Sequence, residues 1–205
     1  MFRLTAKDLA KRFGARKLFS ALNFELTTGD SLAVIGPNGS GKSTLLLTLL
    51  GLQRPTKGSV TFAEGDTELD DAARRRLVSF VSPYLNLYDQ LTAEENLKFF
   101  ITVSGGHVTG KQINKVLLQV GLEGRGGDPV AEFSSGMKQR LKYALALLNN
   151  PAYLFLDEPT SNLDREGKNI VVQLVEQLRA DSILIIATNE EEEYQLATAQ
   201  CRLGQ

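Results

Sequence analysis

The sequence predicts an α/β fold, a mainly parallel sheet core with an inserted helical lobe, and three observations predict it. Residues 31–35 (Ser-Leu-Ala-Val-Ile) form an apolar run that passes through a glycine-rich turn into a helical pattern over 42–52, the order strand, loop, helix. Residues 153–156 and 183–187 are continuous apolar runs, the pattern of strands buried on both faces of a parallel sheet. From about Leu91 to Asn150 the composition turns helical.

Each remaining element has its own signal. Residues 4–9 and 23–26 are short apolar strands bounded by Gly14 and by Thr28-Gly29-Asp30, and 59–62 and 78–82 read as further strands. Thr92-Ala93-Glu94-Glu95 has the spacing of a capping box, which opens a helix expected to reach Val103. Residues 109–120 and 136–148 are two more helices, the latter with Leu141, Ala144, Leu145 and Leu148 on one face. The glycines at 121, 124, 126 and 127 mark a loop between them. With no internal repeat and no low-complexity linker, the chain reads as one domain over 1–205. Its core lobe covers about 1–82 and 151–205, and its helical lobe about 83–150.

Composition narrows the function classes. Hydrophobic residues make up 42% and charged residues 23%, an ordinary globular balance. Lys plus Arg number 23 against 24 Asp plus Glu, so no global positive field exists to hold nucleic acid, and none is expected as a partner. The single cysteine, Cys201, excludes an internal disulfide and any multi-cysteine metal site, which suits the cytoplasm. Lys7, Asp8, Lys11 and Arg12 interrupt the N-terminal region before a signal peptide could form, and no apolar run nears the ~20 residues that span a bilayer.

The chemistry is concentrated in two places. Gly36-Pro37-Asn38-Gly39-Ser40-Gly41-Lys42-Ser43-Thr44 fits G-x-x-x-x-G-K-[ST], directly after a strand and opening a helix. Glycines let successive backbone N–H groups wrap a polyphosphate, Lys42 reaches the outer phosphates, and Ser43 is a ligand for Mg²⁺. Asp157 and Glu158 follow the buried run 153–156, at the strand end where open α/β sheets place their crevice. Asp157 is expected to serve the same metal, and Glu158 to orient or deprotonate water. A polyphosphate with Mg²⁺ is therefore the expected ligand, and the resemblance set out next implies that it is ATP.

These two motifs, with Phe133-Ser134-Ser135-Gly136-Met137 before the second, resemble the nucleotide-binding subunits of ABC transporters over nearly the whole chain. The resemblance implies the ABC ATPase fold, a P-loop NTPase core with N-terminal antiparallel strands and an inserted α-helical lobe. It also implies ATP hydrolysis, a head-to-tail dimer with a second nucleotide-binding subunit, and membrane-spanning transporter subunits as partners. The chain would then be cytoplasmic and peripheral on the inner face of the cell membrane. Ser134, Ser135, Gly136 and Met137 match the signature that faces the phosphates held by the other copy. Phe13 falls where the family stacks an aromatic on adenine, or else anchors the first strands. Asp164 falls in the loop between the two sites and doubles as an N-cap for a helix over 165–178.

Two positions depart from the family pattern. Pro83 stands where the family has a glutamine that contacts Mg²⁺, leaving Ser82 or water as a substitute ligand. Asn189 stands where the family has a histidine near the outer phosphate, and Asn keeps a donor without a positive charge. His107, the chain's only histidine, reads as a solvated loop residue, and Glu190 to Glu193 as a solvated helix start favoured by the helix dipole. The leading expectation is an ATPase driving a transporter, resembling small exporter subunits of the haem-exporter or drug-efflux kind. The alternative is a hydrolysis-impaired regulatory partner that uses ATP as a clamp; a nucleic-acid ATPase is disfavoured by the charge balance.

Overall fold

The computed structural model describes residues 1–204. Strands β1 (Phe2–Phe13), β2 (Arg16–Thr27) and β3 (Ser31–Ile35) lead into helix α1 (Lys42–Leu49), then β4 (Lys57–Glu64) and β5 (Thr67–Glu68). Helix α2 (Asp71–Leu77) and β6 (Val78–Val81) precede α3 (Ala93–Val103), α4 (Gly110–Gln119) and α5 (Ser135–Asn149). The chain returns through β7 (Tyr153–Asp157), α6 (Arg165–Arg179), β8 (Ile183–Thr188), α7 (Glu191–Tyr194) and β9 (Ala199–Arg202).

Five strands form a parallel sheet in the order β6-β7-β8-β3-β9, and four form an antiparallel sheet in the order β2-β1-β4-β5. The continuous apolar runs are explained by what covers the parallel sheet. Successive strand side chains point to opposite faces, so Tyr153, Phe155, Ile183 and Ile185 pack with β1, β4 and α1, whereas Leu154, Leu156, Leu184 and Ile186 pack with α3, α5 and α6. Both faces are covered, and every residue of β7 and β8 is buried. Tyr153 carries its hydroxyl across to the antiparallel sheet, donating to Ala63 O at 2.9 Å and Arg3 O at 3.1 Å.

The strand readings at 4–9 and 23–26 are cores of longer strands, because β1 and β2 continue outward as a hairpin whose outer residues are charged and exposed. The helix expected to reach Leu52 stops at Leu49: Leu50 caps it and Gly51 turns left-handed at φ 72°. Helix α2 and strand β9 lie outside the sequence reading.

Helix α3 starts as its sequence demands. Thr92 Oγ1 accepts from Glu95 N at 3.2 Å, and Glu95 Oε2 accepts from Thr92 N at 2.8 Å. Asn96, fully buried, then ties α3 to the preceding loop, accepting from Tyr88 N at 2.8 Å and donating to Tyr88 O at 3.0 Å. Thr92→Ala is expected to cost about 1 kcal/mol through the lost cap. In urea melts the midpoint should fall with an unchanged slope.

Candidate functional site

The loop between β3 and α1 is shaped by backbone constraints that only glycine meets at some positions. Gly39 and Gly41 sit at φ 77° and 106°, and a Cβ on Gly36 would lie 2.6 Å from Leu203 O. Lys42, only 5% exposed, curls back over this loop, with Nζ donating to Gly36 O at 2.8 Å and Pro37 O at 3.3 Å. Its partners are carbonyls, and none of the ion pairs among the described residues includes it. The ammonium therefore lies over the loop against two backbone carbonyls, with no carboxylate paired to it among the described residues.

Sheet register brings the acidic pair to this loop. Ile35 aligns with Thr188, and Asp157 with Ala187, so the exits of β3, β8 and β7 lie side by side. Ser43 Oγ donates to Asp157 Oδ1 at 3.1 Å. Burial pushes the Asp157 carboxyl upward; the Ser43 hydrogen bond opposes this, the neighbouring Glu158 adds to it, and Lys42 opposes it. A hydroxyl and a desolvated carboxylate in contact are hard oxygen donors that fit Mg²⁺, whose binding would relieve that burial cost.

Glu158 has left-handed backbone, φ 48°, with its N–H donating to Ala187 O at 2.9 Å. Such a conformation costs a non-glycine residue about 1–3 kcal/mol and persists only where the surroundings over-determine it. Glu158 lines a cavity of about 630 Å³ together with Phe13, Arg16, Asn38, Lys42, Ser43 and Tyr84. Gly39, Gly41 and Thr44 line it too. Phe13 is 51% exposed, with the Lys11 ammonium 4.8 Å from its ring centroid. Arg16 braces the loop by donating to Gly39 O at 2.7 Å. Arg16 carries no sequence signal beyond its residue type, and Tyr84 reads from the sequence as part of a partner-facing surface from Tyr84 to Tyr88 rather than as a lining of this cavity.

The remaining residues divide among other places. Ser134 caps α5, accepting from Met137 N at 3.2 Å, and none of Ser134, Ser135, Gly136 and Met137 lines the phosphate-loop cavity. Asp164 caps α6, accepting from Gly167 N at 2.8 Å. Asn189 borders a separate cavity of about 260 Å³ that it shares with Glu158, Asn162 and Glu193. Pro83 has no side-chain donor, but its carbonyl and that of Ser82 accept from the buried Lys142 at 3.1 and 2.9 Å. Burial without an anionic partner pushes the Lys142 ammonium downward. Ser82 Oγ accepts from Tyr84 N at 3.1 Å.

One reading is corrected. Glu190, Glu191 and Glu192 are exposed as expected of a helix start, but Glu193 is 3% exposed and accepts from Thr160 N at 2.8 Å. Packing of α7 onto β8 and β3 turns this fourth carboxylate inward.

A phosphate loop and an acidic pair, separated by one strand on the carboxyl edge of a parallel sheet, place the chain among the phosphate-loop ATPases. A profile of the family described as ABC transporter matches residues 19–161. The lantibiotic transport ATP-binding protein SrtF of Streptococcus pyogenes is 35% identical over 186 residues, covering 91% of this chain and 79% of that protein. The linearmycin resistance ATP-binding protein LnrL of Bacillus subtilis is 33% identical over 189 residues; the match covers 91% of this chain but spans only 60% of LnrL. Among solved structures, a dimeric post-hydrolysis state of the ATP-binding cassette MJ0796 bound to ADP and Pi matches with a TM-score of 0.84. Its identity is 27%, over 98% of this chain and 94% of that one. The chain belongs to the ABC transporter family, and its fold is the ABC ATPase fold.

Proposed function

We propose that this chain hydrolyses ATP to power an ABC transporter of the export type, working as a head-to-tail pair with a second nucleotide-binding subunit. The observation that carries the reading is the convergence of Lys42, Ser43, Asp157 and Glu158 at adjoining strand exits. Backbone N–H groups from Gly36 to Thr44 and the Lys42 ammonium hold the outer phosphates. Ser43 and Asp157 would hold Mg²⁺, which would supply charge neutralisation at the phosphate oxygens. Glu158 accepts a proton from, or orients, the attacking water. Phe13 offers an exposed ring face for adenine.

Pairing is supported by the position of the signature residues, which lie away from the phosphate loop of their own chain. A second copy would present its Ser134, Ser135 and Gly136 to that loop, with Asp164 between the two sites. In this reading the core lobe, about 1–82 and 151–205, binds nucleotide, and the helical lobe, about 83–150, delivers the signature.

The membrane-spanning partner would dock on Tyr84, Tyr88 and Phe99, which are 80%, 50% and 41% exposed. Tyr88 and Phe99 of α3 pack edge-on at 4.9 Å, and Asn96 pins the loop of Tyr88 to α3, so the surface is pre-ordered. No helix among the described residues is long and apolar enough to cross a membrane. Attachment at the cytoplasmic face would come through that partner. The lantibiotic and linearmycin associations of the relatives favour outward transport.

Asn189 bears on the alternative of a nucleotide clamp. Its position beside Glu158 favours a retained but slowed reaction, because an amide donates without charge where an imidazolium would also neutralise. Asn189→His is expected to raise the steady-state ATPase rate by about tenfold. A wild-type chain with no detectable turnover, alone or with its membrane subunit, would instead support the clamp.

A further inference from the structure

Glu158 is held in its left-handed backbone by contacts made just after it in the chain. Tyr143 Oη donates to Pro159 O at 3.0 Å and Gln139 Nε2 to the same oxygen at 3.4 Å, both from α5. The next residue, Thr160, is 6% exposed, and its N–H and Oγ–H both donate to Glu193 Oε1, at 2.8 and 2.5 Å. Glu193 is a buried carboxylate, and no ion pair among the described residues includes it. Its second oxygen, Oε2, has no hydrogen-bond partner there either. Burying a carboxyl group with one oxygen unpartnered costs free energy that its bonds to Thr160 offset only in part. Burial and the Glu193 carboxylate together push the nearby Tyr143 hydroxyl well upward. Glu193 also lines the cavity shared by Glu158 and Asn189, and it lies four residues after Asn189 on the same β8–α7 segment.

We propose that Glu193 is a positioning residue for ATP hydrolysis: by accepting both donors of Thr160 it fixes the Pro159–Thr160 backbone and so holds the Glu158 carboxylate at the cavity it shares with Asn189. The proposal rests on the reading of Glu158 as the residue that handles water. Nothing in it requires Glu193 to touch nucleotide. Its loss would free a buried Thr160 N–H two residues from Glu158, and the strained backbone at Glu158 would relax.

The test uses the full chain, with ATP affinity and steady-state kinetics measured on Glu193→Ala, Glu193→Gln, Thr160→Val and Glu158→Gln. Glu193→Ala should lower kcat by about 10- to 100-fold, with KM and ATP affinity within about twofold. Glu193→Gln keeps an oxygen that accepts the same two hydrogen bonds and should recover kcat to within about threefold of wild type. Thr160→Val removes one of the two donors and should lower kcat by about 3- to 10-fold at unchanged KM. The proposal is overturned by wild-type kcat in Glu193→Ala, by a Gln variant as slow as the Ala variant, or by losses that appear in KM. If Glu193→Ala does not fold, wild-type kcat in Thr160→Val overturns it equally. Full activity in Glu158→Gln would remove the underlying reading, whereas an inactive Glu158→Gln beside a fully active Glu193→Ala would remove the positioning role of Glu193 alone.

Discussion

Glu158→Gln should abolish most ATP turnover, lowering kcat by about 10²- to 10³-fold, while Mg-ATP still binds. The substitution is nearly isosteric and leaves Lys42, Ser43 and Asp157 in place, so the phosphate cradle is untouched. What it removes is the proton acceptor beside the cavity, together with a negative charge next to Asp157. Because that charge adds to the upward push on Asp157, its removal should leave the metal ligands at least as easy to bury. With hydrolysis blocked, ATP-bound chains should accumulate as pairs, since the species that normally decays is trapped. Equilibrium ATP binding, single-turnover kinetics and size-exclusion chromatography with Mg-ATP measure the three consequences. A variant that hydrolyses ATP normally would remove Glu158 from its role, and one that stays monomeric with ATP bound would count against the head-to-tail pair.

The second large effect is expected at Lys42. Lys42→Met keeps the length and most of the packing of the side chain but deletes the ammonium that lies over the Gly36 and Pro37 carbonyls. Charge-assisted hydrogen bonds to phosphate are among the strongest a protein makes, and they strengthen as charge moves to the outer phosphoryl group. A fall in kcat/KM of about 10³-fold or more is expected, with ATP affinity lost as well as rate. Stability should change little, because the ammonium's partners are two carbonyls rather than a carboxylate. Calorimetric ATP titration and a thermal melt separate these outcomes. A variant that binds ATP as tightly as wild type would show that the backbone alone carries the phosphate affinity.

Some of this architecture was legible because its causes are local. A run such as Gly36 to Thr44 specifies its own turn geometry, since glycine is needed where the backbone turns left-handed at residues 39 and 41. Thr92 and Glu95 reciprocate across three residues, so their helix start is written in four letters. The apolar strands announced burial on both faces because any polar side chain there would have lost its water. Helix α2 and strand β9 lacked such signals: α2 buries none of its residues, and β9 is a mostly exposed edge strand with little apolar content. Glu193 was misread for the same reason. Four consecutive glutamates look like a solvated helix start, and nothing within the run distinguishes the one that Thr160, distant in sequence, draws inward.

Short-range order along the chain was enough to establish a phosphate loop, a following acidic pair and the sheet that carries both, because those features depend on backbone geometry and on a side-chain period of two. Their meeting was decided elsewhere. Only the strand order, with β8 between β7 and β3, sets Asp157 against Ser43 and Asn189 beside Glu158. The burial of Glu193 and Lys142, and the bracing of Gly39 by Arg16, were likewise settled by packing. Hydrogen-bond partners far apart in the chain are chosen by which surfaces come together, and no local pattern encodes that choice.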